Sequence, residues 1–126
     1  MKQEPAKLYL DLLKKTLSFS LWPEPPIPMI LFNETRSPAK RAAVSILSRA
    51  LAQRDLEIVK RRSVTEHQRS NGQFWPLYAD TMIGMKRLDQ LQSAIETILD
   101  DGVEGDFIET GVWRGGACIF MRAALE

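Results

Sequence analysis

Glu109 stands two residues ahead of Gly111 in the run Phe107-Ile-Glu-Thr-Gly-Val-Trp-Arg-Gly-Gly-Ala-Cys118. The pattern reads as a short strand over 106–110, a glycine-rich turn over 111–116 and a helix from Ala117 to Leu125. In doubly wound α/β folds, ligands sit at the carboxyl ends of strands. Glycines there let the backbone turn sharply and come close to a ligand, and the helix that follows offers free amides at its start. An acidic side chain at the strand end does not suit a phosphate. It suits a ligand carrying a cationic or hydrogen-bond-donating group, as an amino-acid-bearing nucleoside such as S-adenosylmethionine does. The turn lacks the Lys-Ser or Lys-Thr of a phosphate cradle, and Gly111, Gly115 and Gly116 do not follow the Gly-x-Gly-x-x-Gly spacing of dinucleotide folds. An ordinary α/β turn with a structural glycine fits the same residues.

Other chemistry-bearing residues are sparse. His67 lies in a polar stretch, where it is either an acceptor-site base or a solvated side chain. Cys118, the single cysteine, is either a thiol of lowered pKa at a helix start or a small buried residue. Asp100 and Asp101 are adjacent at a helix end, a placement that suits a solvated turn better than convergence on one metal ion.

The elements that must position these residues follow from periodicity. Leu8, Leu12, Leu13 and Leu17 fall at helix spacing over 6–21, with Lys7, Asp11, Lys14 and Lys15 on the other side. The proline-rich run 23–28 breaks any helix and reads as an extended connector. Ser37-Pro38 opens a second helix that is expected to reach Arg62, with Ala43, Ile46, Leu47, Ala50 and Leu51 inward. Its polar side is basic: Arg36, Lys40, Arg41, Arg49, Arg54, Lys60, Arg61 and Arg62. Without interleaved aromatics this reads as a solvated face rather than a nucleic-acid surface. Residues 63–76 are polar, with a turn at Asn71-Gly72. A third helix starts with Thr81 as its cap, carries the stripe Leu88, Leu91, Ile95, Ile98 and Leu99, and closes at Asp100-Asp101-Gly102.

The bulk numbers set bounds. The 126 residues suit one ordinary domain, and a net charge of +1 supplies no global field for nucleic acid or an anionic membrane. One cysteine excludes an internal disulfide framework and suits a reducing cytoplasm. The opening residues 1–5 lack the apolar core of a secretion signal. No apolar run approaches the roughly 18 residues of a membrane span.

Residues 75–125 resemble the macrocin O-methyltransferase family, whose members methylate sugar hydroxyls on macrolide and aminocoumarin antibiotics. The resemblance rests on two long strings, Thr81-Met-Ile-Gly-Met-Lys-Arg-Leu-Asp89 and Ile108-Glu-Thr-Gly-Val-Trp-Arg-Gly-Gly-Ala117. The run Tyr9-Leu-Asp-Leu-Leu-Lys-Lys-Thr-Leu17 is similar to the family's opening helix, while residues 29–70 match poorly and look like an insertion or lid. The resemblance implies an α/β fold, the N-terminal portion of a Rossmann-like class I methyltransferase, mostly helical here with one clear strand followed by a cofactor loop. Residues 1–74 would form a helical cap and 75–126 the start of the cofactor domain.

S-adenosylmethionine is the implied cofactor. Glu109, Thr110 and Gly111 would line its methionine end, and Val112, Trp113 and Ala117 would supply backbone and wall. Thr81 and Met82 would close near its sulfonium, where a polarisable thioether is sensible; core packing is the alternative for Met82. A Mg2+ ion is expected for the family, with neither its ligands nor a catalytic base assignable in this chain. The implied acceptor is a glycosylated small molecule, with no nucleic-acid or membrane partner. A lone strand leaves unpaired edges and uncovered helix faces. The 126 residues are therefore expected to be inactive alone, and partly molten, self-associated or bound to a full-length homologue.

Overall fold

The computed structural model describes residues 3–29 and 37–126. Five helices and two very short strands make up the described residues: α1 (Gln3–Leu17), β1 (Ile27–Pro28), α2 (Pro38–Ala52), β2 (Val59–Lys60), α3 (Glu66–Asn71), α4 (Met85–Asp100) and α5 (Gly116–Ala124). They gather into two compact units, one of residues 1–23 with 64–126 and one of residues 24–63.

In the larger unit α1, α4 and α5 meet around Leu17, Leu88 and Phe120, with Leu10, Leu13, Ile83, Met85 and Leu91 packed against them. The face α1 buries is rotated from the expected one. Leu8 and Leu12 are exposed, whereas Lys14 is only 7% exposed. Its ammonium reaches Asp89 Oδ1 on α4 at 2.5 Å, so the charge is paired while the methylene stem packs inside. Apolar spacing chose a helix correctly, but a long amphipathic side chain with a partner won the inward position.

Segment 63–76 holds a helix that its polarity concealed. Thr65 and Gln68 form a reciprocal capping box at the start of α3, and Gly72 closes it in the left-handed conformation at φ 63°. The third expected helix begins later than Thr81, at Met85 with Gly84 as its cap. Gly84 lies against the end of α3 so closely that a Cβ there would sit 2.3 Å from the Gly72 amide nitrogen and 2.5 Å from the Ser70 carbonyl oxygen. Only glycine permits that approach. Along α4, Leu88 and Ile95 are buried as the stripe predicts, while Leu99 is exposed.

The smaller unit departs further from expectation. β1 pairs antiparallel with β2, Ile27 opposite Lys60 and Pro28 opposite Val59, and Met29 N–H extends the pairing to the Ile58 carbonyl at 2.8 Å. The second helix stops at Ala52 rather than Arg62. Asp55 takes a positive φ of 54°, a conformation aspartate tolerates better than most residues, and Leu56 N–H folds back on the Leu51 carbonyl at 3.1 Å. Pro38 opens the helix as expected, but the Ser37 side chain makes no capping bond. α2 buries no residue: Ile46 and Leu47, expected inward, are exposed. Lys60, Arg61 and Arg62 fall beyond the helix, which keeps Lys40, Arg41 and Arg49; Arg36 lies outside the described residues.

The strand expected over 106–110 does not form a ladder. The backbone runs without helix or strand from 103 to 109, and Ile108 is 84% exposed. A strand is stabilised by its neighbours' hydrogen bonds and cross-strand side chains, and among the described residues none lies beside it. Ile27–Pro28 and Val59–Lys60 form the sheet instead. No helix of the described residues is long and apolar enough to cross a membrane.

Candidate cofactor recess

Two separated stretches of the larger unit, 80–83 and 109–117, form the walls of one recess of about 140 Å³. Backbone hydrogen bonds bring them together. The amides of Asp80 and Thr81 donate to the Leu17 carbonyl at the end of α1, at 2.8 and 3.2 Å. On the other side, Gly116 N–H donates to the Asp80 carbonyl at 3.0 Å. The start of α5 therefore abuts residue 80 directly. A Cβ on residue 116 would lie 2.5 Å from the Asp80 carbonyl oxygen, well inside van der Waals contact, so glycine is required there.

Arg114 fastens the same junction from outside. One guanidinium nitrogen donates to the carbonyls of Leu77 at 2.8 Å and Ala79 at 3.0 Å. Its guanidinium carbon also lies 4.4 Å from the centroid of the Trp113 ring, a cation–π arrangement. Trp75 meets Trp113 edge-on with centroids 5.7 Å apart. The Trp113 wall is thus held between an arginine and a second indole, both from the larger unit.

The loop glycines Gly111 and Gly115 adopt φ of 95° and 79°, which L side chains rarely accept. Gly115 is the cap residue of α5. Glu109, half-buried, lines the recess, and its Oε2 accepts a hydrogen bond from Cys118 Sγ at 2.7 Å. That bond and the carboxylate's negative charge hold the Cys118 thiol above its ordinary pKa. Cys118 is therefore a protonated donor and not the lowered-pKa thiol that a helix start can produce.

A profile of macrocin-O-methyltransferases (TylF) matches residues 6–126. The chain belongs to the macrocin-O-methyltransferase (TylF) family. It is 38% identical over 126 residues to the 8-demethyl-8-(2,3-dimethoxy-alpha-L-rhamnosyl)-tetracenomycin-C 4'-O-methyltransferase of Streptomyces olivaceus, covering 100% of this chain and 38% of that protein. It is 38% identical over 120 residues to the mycinamicin III 3''-O-methyltransferase of Micromonospora griseorubida, covering 95% of this chain and 37% of the relative. Among solved structures, that of the O-methyltransferase NovP superposes with a TM-score of 0.64 at 33% identity, over 95% of this chain and 36% of that one. The chain thus spans less than two fifths of the length of the relatives it matches. The structural likeness accords with a methyltransferase fold.

Within this TylF-family chain, six of the residues expected around the cofactor share the recess: Thr81, Met82, Glu109, Gly111, Trp113 and Ala117. Thr110 and Val112 do not line it, and Val112 is 55% exposed. Thr81 is buried, and its hydroxyl accepts from Ile83 N–H at 3.4 Å, so it orders the 81–83 turn rather than capping α4. Met82 is 37% exposed. It is thus only partly covered, and it lines the recess.

Sequence reasoning missed Asp80, Ile83 and Arg114, which also line the recess. Arg114 lay inside the recognised loop string, but its partners are carbonyls more than thirty residues away, and no local pattern marks them. His67 is on the exposed side of α3, where Asn71 Nδ2 lies 3.0 Å from its Nε2. A larger recess of about 320 Å³ lies in the smaller unit, between the end of α2 and residues 55–58, and shares no residue with the candidate site.

The candidate recess is small. Its volume of about 140 Å³ is below the roughly 300–1,000 Å³ of a complete small-molecule pocket. Its ionisable lining residues are Glu109, half-buried, Asp80, which is exposed and meets Gly116 through its backbone carbonyl, and Arg114, whose guanidinium is committed to two carbonyls outside the recess. The Glu109 side chain gives that lining an acceptor for a hydrogen-bond donor. Among the described residues, no cluster of three or more His, Cys, Asp or Glu side chains is set to hold a metal ion.

Proposed function

We propose that the protein is an S-adenosylmethionine-dependent O-methyltransferase acting on a sugar hydroxyl of a glycosylated natural product, and that this chain is its cofactor-loop portion. The observation that carries the reading is the convergence of Thr81, Met82, Glu109, Gly111, Trp113 and Ala117 on one recess from two stretches nearly thirty residues apart. Family membership and relatives named as O-methyltransferases of glycosylated antibiotics support the same activity. When bound, S-adenosylmethionine supplies an electrophilic methyl group on a sulfonium.

The chain's own residues hold and orient. Glu109 accepts hydrogen bonds from an ammonium group, and the positive-φ glycines Gly111 and Gly115 let the loop backbone come close to the ligand. Trp113, braced by Trp75 and Arg114, excludes water from one wall. Met82 places a polarisable sulfur on the opposite stretch. In the whole protein, removal of the acceptor's proton, with or without a Mg2+ ion, falls to groups outside this recess.

Isothermal titration of the chain with S-adenosylmethionine tests the reading. Glu109→Gln is expected to weaken binding by roughly tenfold or more, the worth of one hydrogen bond to a charged group. Absence of binding by the wild-type chain, or equal binding by the variant, overturns it.

A second reading, that the chain associates with further copies or with a full-length homologue, draws on a specific observation. Leu8, Leu12, Ile46, Leu47 and Ile108 are all more than half exposed. Light scattering that gives a monomer across the micromolar range, alone and mixed with a full-length relative, overturns that reading.

A further inference from the structure

Cys118 does not line the recess, yet it touches the acid that does. It lies in the first turn of α5, and its thiol donates to Glu109 Oε2 at 2.7 Å. The backbone that carries the thiol is closely determined. The left-handed Gly115 starts the helix, and Gly116 is pressed against the Asp80 carbonyl with no room for a Cβ. Glu109, in contrast, sits on a stretch that is neither helix nor strand, and a glutamate side chain loses considerable rotamer freedom when held in one orientation.

We propose that Cys118 is a positioning residue: by donating to Oε2 its thiol holds the Glu109 carboxylate against the recess, leaving the remaining acceptor capacity for a cationic group of the ligand. The inference rests on the cofactor reading of the recess and deepens it. A carboxylate that accepts one neutral donor keeps its full negative charge and still has lone pairs for an ammonium. A cationic donor in the place of Cys118 would neutralise the acid and compete with the ligand. The other ionisable residues of the lining are Asp80, which is exposed, and Arg114, which is tied to the Leu77 and Ala79 carbonyls. The raised pKa of the thiol agrees with the geometry, since a thiolate beside Glu109 would set two anions against each other.

The sole cysteine of the chain makes the coupling directly measurable. The rate of alkylation by N-ethylmaleimide, followed against pH in wild type and Glu109→Gln, reports the thiol titration without any ligand. The midpoint is expected to move down in Glu109→Gln; an unmoved midpoint overturns the role of Cys118. Calorimetry with S-adenosylmethionine supplies the second readout. Cys118→Ala is expected to bind roughly fivefold more weakly, the fold-change of one neutral hydrogen bond. Cys118→Ser, which keeps a donor, is expected to stay within about twofold of wild type by the same reasoning. Equal affinity of Cys118→Ala and wild type overturns the proposal, as does equal weakening by the alanine and serine variants, which would mark a packing role. A wild-type chain that binds no S-adenosylmethionine overturns the cofactor reading, whereas binding with an unmoved alkylation midpoint overturns only the part given to Cys118.

Discussion

Replacing Gly116 by alanine tests whether the start of α5 must touch residue 80. In an ordinary exposed helix the change would stabilise by about 1 kcal/mol, because alanine has the better helix propensity. Here the new Cβ would meet the Asp80 carbonyl oxygen at 2.5 Å, its carbon at 2.6 Å and Thr81 Cβ at 2.9 Å. Carbon contacts are comfortable at about 3.5–4.0 Å, so the helix or the 80–81 segment has to move by about an ångström. That segment is not free to yield, since both its amides are bonded to the Leu17 carbonyl. Overpacking of this kind costs about 1–3 kcal/mol, and stretching the Gly116–Asp80 hydrogen bond costs about 1 kcal/mol more. Set against the propensity gain, the net destabilisation is about 1–3 kcal/mol. Urea unfolding followed by the fluorescence of Trp22, Trp75 and Trp113 measures it as a lower midpoint at unchanged slope. A Gly116→Ala midpoint equal to or above that of wild type would refute the reasoning and the contact behind it.

Two further outcomes follow from the same unit. Lys14 is buried and Asp89 is 57% exposed at its side chain, so their removal is expected to be asymmetric. Asp89→Ala strands a buried ammonium and costs about 1–3 kcal/mol, while Lys14→Met keeps the stem packing, leaves Asp89 hydrated and costs less; thermal melts of the two variants check the order. Arg114→Lys keeps the charge but loses the planar guanidinium that stacks on Trp113 and whose Nη1 reaches the Leu77 and Ala79 carbonyls. It is expected to weaken S-adenosylmethionine binding by a few-fold, the scale of one cation–π contact or one hydrogen bond, and titration calorimetry that finds no change counts against the bracing role.

Local signals determined more of this protein than its short strands suggest. The apolar spacing of Leu88, Leu91 and Ile95 marked α4, Pro38 marked the start of α2, and Gly102 marked the end of α4. Each of those depends on a few neighbouring residues. The family was legible in two strings, 81–89 and 108–117, and the profile match over residues 6–126 agrees. The Thr65–Gln68 capping box was equally legible, and only the polarity of the segment hid α3.

What the tertiary structure decided is non-local. Apolar periodicity says that a helix has an inner face, but the partners select which residues occupy it: Asp89 draws Lys14 inward, and among the described residues Ile46 and Leu47 stay more than half exposed. Extended residues become a strand only when another strand supplies hydrogen bonds, so 106–110 has β-like sequence and no ladder, while Ile27–Pro28 finds Val59–Lys60. The recess follows the same logic. Its acid and glycines could be read from the chain, but their meeting with Thr81 and Met82 depends on the Leu17 carbonyl and on the missing side chain of Gly116. Backbone contacts between distant residues leave no period in a sequence, and here they bring the two halves of the site together.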